Sequence, residues 1–169
     1  MNRVRFFACI SLMVLFSFFI AGVCLAAEKT PGTEKAVKGE QDKAAREEAF
    51  IKEKYPNAIR TSSGMMYIVL KEGNGASPPR GALVEAHYTG TLLDGTKVDS
   101  SVERKRPLLF VLGRGEVIRG WEEAFASMKK GEKRLLIIPP GLAYGEKGME
   151  KIPPNATLVF EVELINFLK

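Results

Sequence analysis

The stretch "ATLVFEVELINFL", Ala156 to Leu168, sends Leu158, Phe160, Val162 and Leu164 to one side and Glu161 and Glu163 to the other. A period of two marks a strand with one buried face. Such a strand needs partners along its edges and a cover over its apolar side. The same alternation recurs upstream. "GMMYIVLKEGNG" alternates and ends in a glycine turn, and "ALVEAHYTGTL" separates Val84, Ala86 and Tyr88 from Glu85 and His87. "PLLFVLG" puts Leu108, Phe110 and Leu112 on one face, and "RLLIIPPG" reads as a strand stopped by Pro139 and Pro140, which cannot donate to a ladder. Asp94-Gly95, between "TLL" and "TKV", signals a hairpin because glycine supplies the positive φ of a tight turn.

One helix interrupts the strands. In "GWEEAFASMKKG", Trp121, Ala124, Phe125 and Met128 fall at helical spacing, and Gly131 supplies the stop. The expected architecture is α+β: an antiparallel sheet with one face solvated and a single short helix on the other.

Two segments precede that domain. Arg3 and Arg5 stand before an uninterrupted apolar run from Phe6 to Ile20, then "AGVCLAA", then abundant charge from Glu28. That order describes a signal peptide over residues 1–27, cleaved near Ala26 or Ala27, and a periplasmic or secreted product. Retention of the segment as a membrane anchor and lipid attachment at Cys24 stand as alternatives. Both cysteines, Cys9 and Cys24, lie in the leader, so the cleaved chain has no thiol for a disulfide or a thiolate metal site. Residues 28–60 are rich in Lys, Glu and Ala. Their first third, broken by Pro31, Gly32 and Gly39, reads as a loose tether. Gln41 to Lys54 reads as a short charged helix with Asp42–Arg46 and Glu48–Lys52 pairs and a thin stripe of Ala45, Ala49 and Phe50, ending before Pro56. It could dock on the domain or on a second copy in a homodimer. Residues 61–169 form the folded domain.

Several chemistries are excluded. Cleavage leaves 23 basic residues against 20 acidic, a net charge of +3, and the short basic runs "ERKR" and "KKGEKR" contain acids and lack aromatics. Nucleic acid is therefore not expected as a partner. The lone histidine, His87, points away from Tyr88's face, so neither a nucleophile-and-base pair nor a His-rich metal site can be assembled. "GRGEVIRG" lacks the spacing of a phosphate loop. No cofactor and no metal are expected. What the chain does hold is aromatic and aliphatic residues at element ends, Trp121 at the first turn of its helix among them. On the residues alone, Trp121 either plugs the core or floors a pocket.

The segments "VEAHYTGTLLDGTKVDSS", "PLLFVLGRGEVIRGWEEAFASMKKGEKRLLIIPPGLAYGEKG" and "IPPNATLVFEVELINF" resemble FKBP-type peptidyl-prolyl cis-trans isomerases, in order, from Gly64 to Lys169. With the leader and the charged helix, the chain also resembles the secreted bacterial branch that includes the macrophage infectivity potentiator proteins, with a shorter N-terminal region. The resemblance implies a half-barrel sheet wrapped around the helix and Trp121 at the floor of a hydrophobic pocket. It places Tyr88, Asp99, Arg104, Phe110, Glu116, Val117, Ile118, Trp121, Tyr144, Ile152 and Phe160 around a bound proline. Asp99, Tyr144 and the Ile118 N–H would act on the turning bond, with Asp99 buried and held by Tyr88 and Arg104. For Asp99 with Arg104 a plain loop salt bridge, and for Tyr144 a turn aromatic, stand as alternatives. Val98 and Leu108 occupy positions where the family commonly has phenylalanines, which implies a roomier pocket. The loop from Glu146 to Lys151 is one residue shorter than usual, which affects contacts from Met149 and Lys151. The implied function is isomerisation of X-Pro bonds in unfolded exported proteins, with tacrolimus and rapamycin as inhibitors. The alternative is a holdase-like chaperone or peptide-binding module with little turnover.

Overall fold

The computed structural model describes residues 31–169. The expected signal peptide of residues 1–27, with Cys9 and Cys24, lies outside the described residues. The chain divides into two compact units after Ala45. Residues 31–45 of the first unit belong to helix α1, Pro31–Lys54. This helix begins well before Gln41: Pro31 is its first residue, where a missing N–H removes no helical bond, rather than a breaker within a tether. Among the described residues no helix is long and apolar enough to cross a membrane.

The second unit contains one seven-stranded antiparallel sheet among the described residues. Its strands are β1 (Ile59–Arg60), β2 (Met66–Lys71), β3 (Leu83–Leu92), β4 (Lys97–Ser100), β5 (Leu108–Val111), β6 (Lys133–Ile138) and β7 (Leu158–Leu168). The order is β1-β2-β6-β7-β3-β4, with β5 also paired to β3. The long strands β3 and β7 pair in register from Leu83↔Leu168 to Leu92↔Leu158, with a bulge after Glu85. Burial alternates along β3 as the sequence predicts, Val84, Ala86 and Tyr88 being inside. On β7, Leu158, Phe160, Val162 and Leu164 are buried. The β3–β4 hairpin closes on Leu93, Asp94 and Gly95: the Gly95 N–H donates to the Leu92 carbonyl (3.0 Å) with φ at +89°, and the Leu92 N–H donates to Thr96 (2.9 Å).

The helix α2, Arg119–Ser127, fills the inner face with Trp121, Ala124 and Phe125. It ends before Gly131: Met128 closes it by donating its N–H to the Ala124 carbonyl (3.1 Å), and Gly131 lies in the turn beyond. The outer face is not wholly solvated. Ile51, near the end of α1 and 5% exposed, packs with Ile137 and Val159 in a separate cluster. Ala45, Ala49 and Phe50, the expected stripe of α1, are all exposed. The Ile51 end is tied further by Glu47, whose carboxylate accepts the Thr157 hydroxyl (2.8 Å), and by Glu48, which pairs with Arg60 (2.5 Å).

Candidate functional site

At the N-terminal end of α2 lies a cavity of about 190 Å³. For scale, a dry cavity of roughly 150 Å³ holds benzene. Trp121 lies at its wall with only 4% of its surface exposed. The indole is boxed edge-on: Tyr88 at 4.8 Å and 71°, Phe160 at 5.1 Å and 81°, and Phe125 at 5.7 Å and 65°. Such edge-to-face contacts favour one ring arrangement over others. Trp121 Nε1 is buried with no hydrogen-bond partner among the described residues, so its conformation is held by packing alone.

Four strands, α2 and two connecting segments contribute to the wall. Tyr88 comes from β3, Val98 and Asp99 from β4, Leu108 from β5 and Phe160 from β7. The loop between β5 and α2 contributes Glu116, Val117 and Ile118, and the segment after β6 contributes Tyr144 and Ile152. Two of the expected residues are not on the wall. Phe110 lies behind it, 3% exposed, between Trp121 (6.3 Å) and Phe125 (5.3 Å). Arg104 acts through its neighbours: its Nη2 donates to the Tyr88 hydroxyl (2.9 Å) and its Nη1 donates to Asp99. Glu116 is exposed and turned to the loop, where its Oε2 accepts the Val111 N–H (2.8 Å).

Asp99 is not buried as expected. Its side chain is 43% exposed, yet its carboxylate is heavily engaged, accepting the Tyr88 hydroxyl, Arg104 Nη1 and the Ser100 N–H (2.8 Å). Partial burial alone would raise its pKa, but these three donors and the guanidinium charge outweigh it and hold the carboxyl below its ordinary range. The Tyr88 hydroxyl is pushed up, first by burial and then by its bond to Asp99. Tyr144 is pushed up by burial and then by the Asp99 charge. Both phenols are therefore donors at neutral pH. The Ile118 carbonyl accepts the N–H groups of Trp121 (2.9 Å) and Glu122 (3.2 Å), which start α2. Its own N–H, next to the cavity, has no partner among the described residues.

Sequence reasoning passed over Glu122. Its two carboxylate oxygens accept the N–H groups of Gly113 (2.5 Å) and Gly115 (2.9 Å), bracing the loop that carries Val117 and Ile118. An acid in the first turn of α2 was the visible signal. Met149, Glu150 and Lys151 line an adjoining cavity of about 320 Å³ that shares Val98, Asp99, Tyr144 and Ile152 with the first. No three His, Cys, Asp or Glu side chains among the described residues cluster as metal ligands.

Residues 75–165 match the model of a family described as FKBP-type peptidyl-prolyl cis-trans isomerase. The chain is 52% identical over 105 residues to FK506-binding protein 1 of Dictyostelium discoideum, covering 62% of this chain and 98% of that protein. It is 52% identical over 97 residues to the FK506-binding protein of Neisseria meningitidis serogroup A, covering 57% and 89%. The crystal structure of FkpA from Escherichia coli superposes with a TM-score of 0.66 at 40% identity, over 80% of this chain and 65% of that one.

Proposed function

This chain belongs to the FKBP-type peptidyl-prolyl cis-trans isomerase family, and from that premise we propose that the Trp121 cavity accelerates rotation about X-Pro bonds in exported polypeptides as they fold. The observation that carries the reading is the cavity itself: a recess bounded by Trp121 and by apolar and aromatic side chains, with Asp99 and Glu116 on its polar side and unpaired or phenolic N–H and O–H donors at its rim.

Rotation of an X-Pro bond breaks no covalent bond. The barrier of roughly 18–20 kcal/mol comes from amide resonance, and each tenfold acceleration requires about 1.4 kcal/mol of binding that favours the twisted amide over the planar one. A thousandfold gain thus needs about 4 kcal/mol. In the proposed arrangement the pyrrolidine ring lies against Trp121, with Val117, Ile118 and Phe160 around it and Phe110 supporting the indole from behind. The Ile118 N–H and the Tyr144 hydroxyl donate to peptide carbonyls on either side of the turning bond. Asp99, fixed by Tyr88 and Arg104, presents a constant negative charge at the edge. A twisted amide has less charge separation than a planar one, so a largely apolar enclosure favours it.

A protease-coupled assay on a short prolyl peptide, with and without rapamycin, tests the reading. Proline-dependent turnover that rapamycin inhibits is expected. Replacing Tyr144 by Phe should lower kcat/KM about three- to tenfold, the worth of one neutral hydrogen bond, with the melting temperature unchanged. Wild-type rates in that variant would refute the role of Tyr144. A second reading, a holdase-like module with little turnover, rests on Val98 and Leu108 in the wall; suppression of aggregation without turnover would select it. A periplasmic or secreted location rests on the sequence of residues 1–27, and the mass of the protein from an exporting host tests it.

A further inference from the structure

The loop between β5 and α2 separates the Trp121 cavity from a larger one of about 570 Å³, and Val117 lines both. An extended chain advances about 3.3–3.6 Å per residue. Side chains a few residues from a proline in the first cavity therefore come within reach of the second.

The polar groups of the second cavity are Arg80, Arg119 and Glu122, beside apolar Leu112, Val117 and Ala126. Glu122 is committed, since both its oxygens accept loop N–H groups. Arg80 is held in place: its Nη2 donates to the Gly113 carbonyl (3.1 Å), and its stem packs so closely on Gly113 that a Cβ there would stand 2.5 Å from Arg80 Cγ. Arg119 is exposed and has no acidic partner among the described residues. It also opens α2, where a cation opposes the helix dipole. No ion pair among the described residues occupies Arg119, and the cavity presents two guanidinium groups against one carboxylate already engaged.

We infer that this cavity is a subsite for an acidic side chain, glutamate foremost, on the same polypeptide whose proline enters the Trp121 cavity. The inference rests on the isomerase reading above. Guanidinium forks match a carboxylate's geometry, and Leu112, Val117 and Ala126 receive the two methylenes of a glutamate stem. The enzyme therefore prefers prolines with an acidic neighbour.

The test uses the full-length protein and paired prolyl peptides with Glu or Gln at each of three positions on either side of proline. At one position kcat/KM for the Glu peptide should exceed that for the Gln peptide about three- to fivefold at low salt. The ratio should shrink toward one in about 0.5 M salt and invert in Arg119→Glu. The inference is overturned if no position shows more than a twofold preference, if Lys is preferred to Glu, or if the preference survives both Arg119→Glu and Arg80→Gln. Turnover of the Gln peptides by the wild-type protein reads the isomerase function separately. Should that turnover be absent, the Glu-to-Gln ratio is read instead from binding, by the fluorescence of Trp121, the only tryptophan in the chain.

Discussion

Replacing Gly90 by Ala tests whether the cavity wall is as rigid as its packing implies. Gly90 on β3 lies directly opposite Phe160 on β7. A Cβ at this position would stand 2.4 Å from Phe160 Cε1 and 2.9 Å from Cδ1. Carbon atoms in contact prefer about 3.5–4.0 Å, so the ring must withdraw by at least about 1 Å. The strand cannot yield instead, because β3 is paired to β7 on one side and β4 on the other at this residue. Overpacking of this kind costs about 1–3 kcal/mol, against which the less flexible unfolded chain returns about 0.4–1 kcal/mol. A net loss of up to about 2.6 kcal/mol should appear in urea unfolding. The displaced ring is the one boxed at 5.1 Å from Trp121, and a misplacement of about 1 Å in a catalytic site can lower rates roughly a hundredfold. Prolyl-peptide turnover should therefore fall more than stability does. The cause is isolated in a Phe160→Ala background, where Ala at position 90 should be neutral or slightly stabilising. If Gly90→Ala costs the same with and without the ring, the contact is not the reason. If turnover is unchanged, the wall is softer than argued.

Three further outcomes follow from the packing. The Glu132–Arg134 pair is nearly inaccessible, its side chains 3% and 10% exposed, and Arg134 also donates to the Ser127 hydroxyl (2.8 Å) at the end of α2; Arg134→Met should cost about 3–5 kcal/mol by leaving a buried carboxylate unpaired, and adding Glu132→Gln should recover part of it in thermal unfolding. Ile51→Ala should lose about 2 kcal/mol, at the low end for a buried aliphatic truncation, whereas Phe50→Ala, at a residue 42% exposed, should change the urea midpoint little. Asp99 has a pKa below its ordinary 3.8 in the folded protein, so its contribution to stability is fully present above that ordinary value and is lost as pH falls through the lowered one; between pH 5 and 2 the unfolding free energy of Asp99→Asn should fall less steeply than that of the wild type.

What the sequence made legible is what depends on a period. The β7 pattern placed four inward residues correctly because charged Glu161 and Glu163 marked the other face. In β6 the run Leu135-Leu136-Ile137-Ile138 carries no such mark, so nothing in it announced that Ile137 faces outward to join Val159 beneath Ile51. The buried face of α1 is hidden for the same reason: it depends on an outer sheet face whose apolar spots carry no mark in the sequence. The start of α1 is hidden because Pro31 looks the same as a breaker and as a first-turn residue. At the site, residue types and the contacts of Asp99 with Tyr88 and Arg104 were legible through family resemblance, but the loop's own hydrogen bonds were not. No spacing rule says that Glu122 reaches back to Gly113 and Gly115.

The titratable groups of the candidate site bear on what kind of catalysis it can support. Burial and the nearby carboxylate move both phenols, Tyr88 and Tyr144, further from neutrality, while hydrogen bonds move Asp99 in the opposite direction. A general acid or base works best with a pKa near the operating pH, and here all three groups are shifted away from it. The lone histidine does not intervene: His87 sits on the other face of β3, its Nδ1 against the Ser101 hydroxyl at 3.0 Å. The three groups keep one protonation state through the neutral range, so the cavity offers a fixed field rather than a proton relay. A fixed field in an apolar enclosure suits a reaction whose barrier is lost conjugation rather than bond cleavage. The Asp99–Tyr88–Arg104 network is thus better understood as a fixed electrostatic support, with Arg104 behind the wall, than as a catalytic triad.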